Sequence, residues 1–170
     1  MADPETITGK SMTSHYKTNA VRMLESAGVV HSVIEYFSDE ENLDALTVAR
    51  KIGAPEEQVF KTLVTRSDRN SIFVFCIPGN SSIDFKKAAK ITGCKKIDMI
   101  QVKELLPLTG YMRGGCSPVG MKKKYPLYID ELALLSDYIY ISGGVRGLQI
   151  KIKPDDLSRI CNGTFADVTI

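Results

Sequence analysis

Val59-Phe60-Lys61-Thr62-Leu63-Val64-Thr65-Arg66 is followed by Ser67-Asp68-Arg69-Asn70 and then by Ser71-Ile72-Phe73-Val74-Phe75-Cys76-Ile77. Two runs rich in β-branched and aromatic residues, separated by four polar ones, predict an antiparallel hairpin. Sequential antiparallel strands do not belong to a doubly wound parallel sheet, so this stretch favours a mixed α+β class. Lys61 stands out as a lone cation in an apolar strand. Strand alternation lets it project from one face while its neighbours bury the other, so its ammonium either snorkels to water or sits in a cleft.

Working outward, Pro78-Gly79-Asn80 stops the second strand, and Asp84 caps a helix over 85–91 that Thr92-Gly93 ends. Upstream, Thr18 or Asn19 opens a helix carrying Val21, Leu24 and Ala27 at helical spacing, closed by Gly28. A strand over 29–37, an acidic loop over 38–44 and a short helix over 46–52 follow. Downstream, the pattern predicts a strand over 96–99, a helix over 102–106 cut by Pro107, and the glycine-dense loop Gly110 to Gly120. Then come a strand over 127–129, a short helix around 131–135, and a second hairpin, 138–142 and 147–152, turning at Gly143-Gly144-Val145-Arg146. Pro154 opens a last helix to about Cys161.

The chain has 170 residues, 44% hydrophobic and 25% charged, which suits one domain with a proper core. That domain is expected over 16–170. Residues 1–15 lack periodicity and read as a flexible tail or an appended remnant. The net charge of +2 does not mark a nucleic-acid binder by itself, but the lysines cluster at 86, 87 and 90, at 95 and 96, and at 122–124. Cys76, Cys94, Cys116 and Cys161 form no Cys-x-x-Cys pair and have no neighbouring histidine, so neither zinc nor any other metal is expected. Free cysteines fit a reducing, cytoplasmic setting. No apolar run reaches membrane-spanning length.

On residues alone the chemistry stays open. Lys61 and the bare N–H groups of the glycine loop suit a phosphate or an oxyanion. Arg146 equally fits an exposed hairpin turn, and Ser142 can bond its own turn. No Gly-x-Ser-x-Gly elbow is present, and with only His15 and His31 a Ser-His-Asp or Cys-His apparatus is not expected. Cys116 beside Arg113 reads as either a buried thiol or a reactive one.

The ordered series Lys17-Thr18-Asn19-Ala20, Val59 to Leu63, Asp84 to Ala89, Thr109 to Pro118, Ile129-Asp130 and Ser142 to Leu148 resembles the YbaK/EbsC family, relatives of the editing domain of bacterial prolyl-tRNA synthetase. The resemblance implies a single α+β domain with a mixed, curved, barrel-like sheet flanked by helices. It implies an aminoacyl-tRNA deacylase that edits mischarged tRNA in trans, with Cys-tRNA(Pro) first and another small ester such as Ala-tRNA(Pro) as the alternative. A silent tRNA- or nucleotide-binding module and hydrolysis of a related nucleotide ester are further readings. Lys61 matches the family's essential lysine and Thr62 its neighbour; Gly114-Gly115-Cys116-Ser117-Pro118 matches its loop, Ser142 its serine and Tyr36 a pocket tyrosine.

In this reading Lys61 orients the ester, and the N–H groups of Gly114 and Gly115 receive the oxyanion. Cysteine-specific members are thought to use the substrate's own thiol as nucleophile, and no cofactor is implied. Leu43, Arg146 and Gln149 join the substrate-binding set. Lys86, Lys87, Lys122 and Lys123 are candidates for the tRNA backbone, with Arg146 beside them. The expected partners are the acceptor end of aminoacyl-tRNA and prolyl-tRNA synthetase. Two departures put specificity in question: Val145 and Gln149 stand where the cysteine-specific pattern commonly has lysine and aspartate, and Asn42-Leu43-Asp44-Ala45 replaces an Asp-Gly stretch.

Overall fold

The computed structural model describes residues 7–8 and 17–170; most of the expected tail lies outside the described residues. The elements run β1 (Ile7–Thr8), α1 (Asn19–Ser26), β2 (His31–Glu35), α2 (Ala45–Ile52), β3 (Phe60–Ser67), β4 (Ile72–Pro78), α3 (Phe85–Thr92), β5 (Ile97–Met99), α4 (Val102–Thr109), β6 (Leu127–Asp130), β7 (Ile139–Ser142), β8 (Leu148–Ile152), α5 (Pro154–Cys161) and β9 (Thr164–Ala166), with short 3-10 turns at Glu56–Gln58 and Glu131–Leu135.

The α+β class holds. The strands form two sheets, ordered β1-β2-β8-β7 and β5-β3-β4-β6-β9. They meet where Val59 bridges Tyr140 in parallel, so the surface curves from one sheet to the other without closing. The opening hairpin is β3–β4, registered from Phe60 opposite Pro78 to Arg66 opposite Ile72, with Ser67 accepting at the turn. The second hairpin is β7–β8, with Ser142 opposite Gln149.

Three apolar clusters hold the layers together. The largest joins α1 (Ala20, Val21, Leu24) to Phe60, Val64, Ile129, Ile139, Ile141, Leu148, Ile150 and Ile152. A second lies under α3 and includes Phe75, Ile77, Ala88 and Val168. The third packs α2 on β2 through Ile34, Val48, Ala49, Ile52 and Val59. Helix ends follow the cap chemistry: Thr18, Asp44 and Asp84 accept first-turn N–H groups, and Gly53 and Gly93 end helices in the left-handed conformation.

Some expectations are corrected. Ala27 is an exposed cap residue, and the buried face of α1 is Ala20, Val21 and Leu24. Helix α4 runs through Pro107 to Thr109. Pro107 forgoes only its bond to the Lys103 carbonyl on the exposed side, while the Gln101–Glu104 capping box and the Thr109 hydroxyl bond to Leu105 secure the two ends. Strand β9 has no counterpart in the sequence reading, because three residues are too few to show a period. It pairs in parallel with β6.

Candidate functional site

A cleft of about 680 Å³ opens where β3, the loop before α2, the glycine loop and the β7–β8 hairpin converge. Lys61, Thr62, Leu43, Gly114, Cys116, Ser142 and Gln149 all line it, together with Gly79, Arg113, Glu40 and Glu41. Segments far apart in sequence therefore deliver these residues to one place.

Lys61 sits one residue into β3, opposite Ile77. Its Nζ donates to the Gly79 carbonyl at 3.3 Å, and among the described residues no carboxylate lies within ion-pair distance. Partial burial holds its pKa below the ordinary lysine value. The result is a fixed cation whose remaining donors are available to a ligand. Gly79 is needed there: a Cβ on it would lie 2.2 Å from the Ala45 Cβ, and its N–H donates to the Val59 carbonyl at 2.7 Å. In the sequence Pro78-Gly79 marks only a strand stop, because an anchoring carbonyl carries no side-chain signal.

The glycine loop is braced from several sides. The Tyr111 hydroxyl donates to the Val119 carbonyl at 2.6 Å, Tyr125 to Leu108 at 2.7 Å, and Arg146 Nε to Arg113 at 2.8 Å. Gly114 adopts φ +83°, and a Cβ there would press on Leu43 and on Arg146 Nε at 3.1–3.2 Å. No acceptor among the described residues takes the Gly114 N–H.

Gly115 departs from expectation. It is buried beneath Val145, and its N–H is already donated to the Met112 carbonyl at 2.9 Å, so of the two glycines only Gly114 has a spare donor at the cleft. Ser117 and Pro118 also serve the loop: buried Ser117 accepts from Val119 N–H, and the Pro118 carbonyl faces the Cys161 thiol. Cys116 reaches the cleft, but burial pushes its thiol up to about 12, which removes the thiolate at neutral pH.

Ser142 Oγ accepts from Gly144 N–H at 3.2 Å and keeps its own proton for donation. Across the hairpin, Gln149 is 5% exposed, and its Oε1 has no hydrogen-bond partner among the described residues. Tyr36 does not line the cleft: its N–H bonds to Gly147, and its side chain packs with the α2 cluster. Arg146 also stays off the wall and acts as the tether of the loop.

Of the lysines proposed for the tRNA backbone, Lys86, Lys122 and Lys123 are exposed. Lys87 is committed elsewhere, donating to both Asp167 oxygens and to the Thr169 carbonyl at 2.7–3.0 Å. Lys123 borders a second cavity of about 150 Å³ with Met23, Pro118 and Cys161. Among the described residues no His/Cys/Asp/Glu group could hold a metal, and no helix is long and apolar enough to cross a membrane.

The profile of the aminoacyl-tRNA editing domain matches residues 39–160, which contain the whole cleft. The chain belongs to the aminoacyl-tRNA editing family. This editing domain is 44% identical, over 90% of its length and 93% of the other chain, to EbsC of Enterococcus faecalis, a protein named for Cys-tRNA(Pro)/Cys-tRNA(Cys) deacylase activity. It superposes on a crystal structure described as a trans-editing enzyme for prolyl tRNA synthetase with TM-score 0.80 and 25% identity, covering 89% of this chain and 95% of that one. It is also 28% identical to a proline–tRNA ligase of Geotalea daltonii, over 79% of this chain but only 23% of the ligase. The editing domain here thus corresponds to a fraction of that larger enzyme.

Proposed function

We propose that this editing domain is a trans-acting deacylase that removes a wrongly attached small amino acid from tRNA, with Cys-tRNA(Pro) as its first substrate. The observation that carries the reading is the half-buried Lys61 ammonium, free of any carboxylate among the described residues, in a cleft that also offers Gly114 N–H and Ser142 hydroxyl but no nucleophile–base pair. Such a site binds and orients an ester that supplies its own reactivity. Its volume lies within the range of sites for drug-sized ligands, enough for an aminoacyl group and the terminal ribose.

Lys61 contacts the ribose or terminal phosphate and fixes the ester, and Gly114 N–H receives the carbonyl oxygen as negative charge develops. With cysteine as the acyl group, the substrate sulfur attacks its own carbonyl carbon. A carbon–sulfur bond forms, the ester carbon–oxygen bond breaks, and the thiol proton ends on the ribose oxygen, giving a thiolactone and free tRNA. Ser142 keeps a free O–H that could instead hold an attacking water, which favours Ala-tRNA(Pro) as the second reading. Lys86, Lys122 and Lys123 supply exposed charge for the acceptor stem, and prolyl-tRNA synthetase is the partner that would lend tRNA selectivity.

A deacylation time course with cysteinyl-, alanyl-, seryl- and prolyl-tRNA(Pro), on wild type and Lys61→Ala, tests this. Lys61-dependent loss of cysteine with prolyl-tRNA spared supports the reading. Loss of alanine alone moves it to a water nucleophile, and survival of every ester overturns it.

A further inference from the structure

Gln149 is an amide placed where an aliphatic side chain would be easier to fold. Its strand neighbours Leu148 and Ile150 point into the main core, so the pleat turns Gln149 to the other face of β8, between Ser142 of β7 and Ile34 of β2. It is 5% exposed, its Oε1 finds no donor among the described residues, and it lines the same cleft as Lys61. Buried polar atoms are ordinarily satisfied; this oxygen is closed to solvent, so rotation of the terminal amide must turn it toward the cleft that the residue lines, where a ligand can bring the missing donor.

The cleft restricts which donor fits. Lys61 and Arg113 are cations on its walls and repel a second positive group, whereas Glu40 and Glu41 give another part of the rim negative charge. An aminoacyl ester carries one cationic group with several donors and no acceptor, its α-ammonium. Seating the ester at Lys61 and Gly114 drives that ammonium away from the lysine toward the acidic rim and toward uncharged acceptors, among them Gln149 Oε1, the buried side-chain acceptor of the cleft that has no partner among the described residues. A thiol is a weak donor, and a hydroxyl also needs a donor of its own, so neither satisfies this atom as well.

We propose that Gln149 is a specificity-determining residue that accepts a hydrogen bond from the free α-amino group of the acyl moiety, so that the cleft selects esters of amino acids over esters of the corresponding deaminated acids. This rests on the reading that the cleft receives an aminoacyl ester, but it is separable from turnover. Recognition of the α-amino group by a neutral amide also lets the site reject N-blocked acyl-tRNA, because an acylated nitrogen brings one donor and added bulk to a nearly closed position.

The test uses two non-hydrolysable probes, 3′-amino-3′-deoxyadenosine joined through an amide to cysteine or to 3-mercaptopropionate, which differ only in the amino group. Titration calorimetry on wild type should show the cysteine probe bound at least about tenfold tighter, the scale of one satisfied donor–acceptor pair. Gln149→Met, close in size but apolar, should bring the two probes to within about threefold by weakening the cysteine probe alone, and Gln149→Glu should keep or widen the preference. Equal binding of both probes to wild type, binding of neither, or an undiminished preference in a folded Gln149→Met would overturn the proposal. If Gln149→Met does not fold, a preference abolished in Gln149→Glu overturns it and a widened one supports it. A wild type that shows the amine preference yet deacylates no charged tRNA would overturn the deacylase reading and leave this site standing.

Discussion

Lys61 holds an ammonium partly out of water and, among the described residues, faces only the Gly79 carbonyl, an arrangement that costs stability and leaves its other donors to a ligand. Lys61→Met should therefore lower deacylation of the preferred ester by about 100-fold or more while leaving the melting temperature equal to wild type or higher. The pH dependence has a definite sign. Burial lowers the folded-state pKa below that of the unfolded chain, so in the alkaline window between the two the unfolded chain binds more protons and stability rises with pH. The stability gap between Lys61→Met and wild type should narrow as pH climbs through that window, read as urea midpoints at successive alkaline pH values. Cys116 gives a second check at this scale. With its thiol held up at about 12, it should alkylate slowly at neutral pH, and Cys116→Ser should retain turnover within about threefold.

At the scale of elements, the cleft depends on backbone segments held in place by groups that never touch substrate. Arg146 ties the hairpin turn to the glycine loop through the Arg113 carbonyl, so Arg146→Met should loosen Gly114 and reduce kcat by about tenfold, with a smaller effect on the melting temperature. Restoring a long cation with Arg146→Lys should recover little, because the Nε fork is what reaches the carbonyl. Gly79 shows the same dependence in the β4 exit turn. Gly79→Ala sets a Cβ 2.2 Å from that of Ala45, and separating α2 from β4 should cost about 1–3 kcal/mol in chemical denaturation while also displacing the carbonyl that anchors Lys61.

Across the whole molecule, two residues of the ordered motifs, Asp130 and Lys87, hold the fold together. Asp130 is fully buried at the end of β6 and accepts from Leu132 and Val168 N–H groups, joining an inner strand of the larger sheet to the C-terminal segment. Asp130→Ala should cost about 1–3 kcal/mol for each N–H left bare, measured by denaturant titration. Lys87 likewise fastens α3 to Asp167 and Thr169. The salt dependence of tRNA binding should distinguish it from free cations. Replacing Lys122 and Lys123 by alanine should flatten the slope of log K against log salt by about 0.7–0.9 for each phosphate these lysines neutralise, whereas Lys87→Ala should leave the slope alone.

Most of the elements are legible in the sequence because they follow from local rules, whereas the three-residue β9 is too short to show one. Alternation and a polar turn mark β3–β4, cap residues mark α1, α2 and α3, and one cation in an apolar strand marks Lys61. The ordered motifs place the chain in its family for the same reason: they are local strings at a recognisable order. What the sequence could not give is which of those motif residues face the ligand. Gly115, Ser117 and Asp130 sit in motifs as prominent as Gly114 and Ser142, yet their polar groups are consumed by Met112, Val119, Leu132 and Val168. Packing settles this: Val168 lies 38 residues from Asp130, and even the short-range bonds of Gly115 and Ser117 need a loop conformation that the surrounding sheets and loops impose. The same packing leaves Gln149 Oε1 without a partner among the described residues, in a residue that lines the cleft, and this could not be read from the strand pattern.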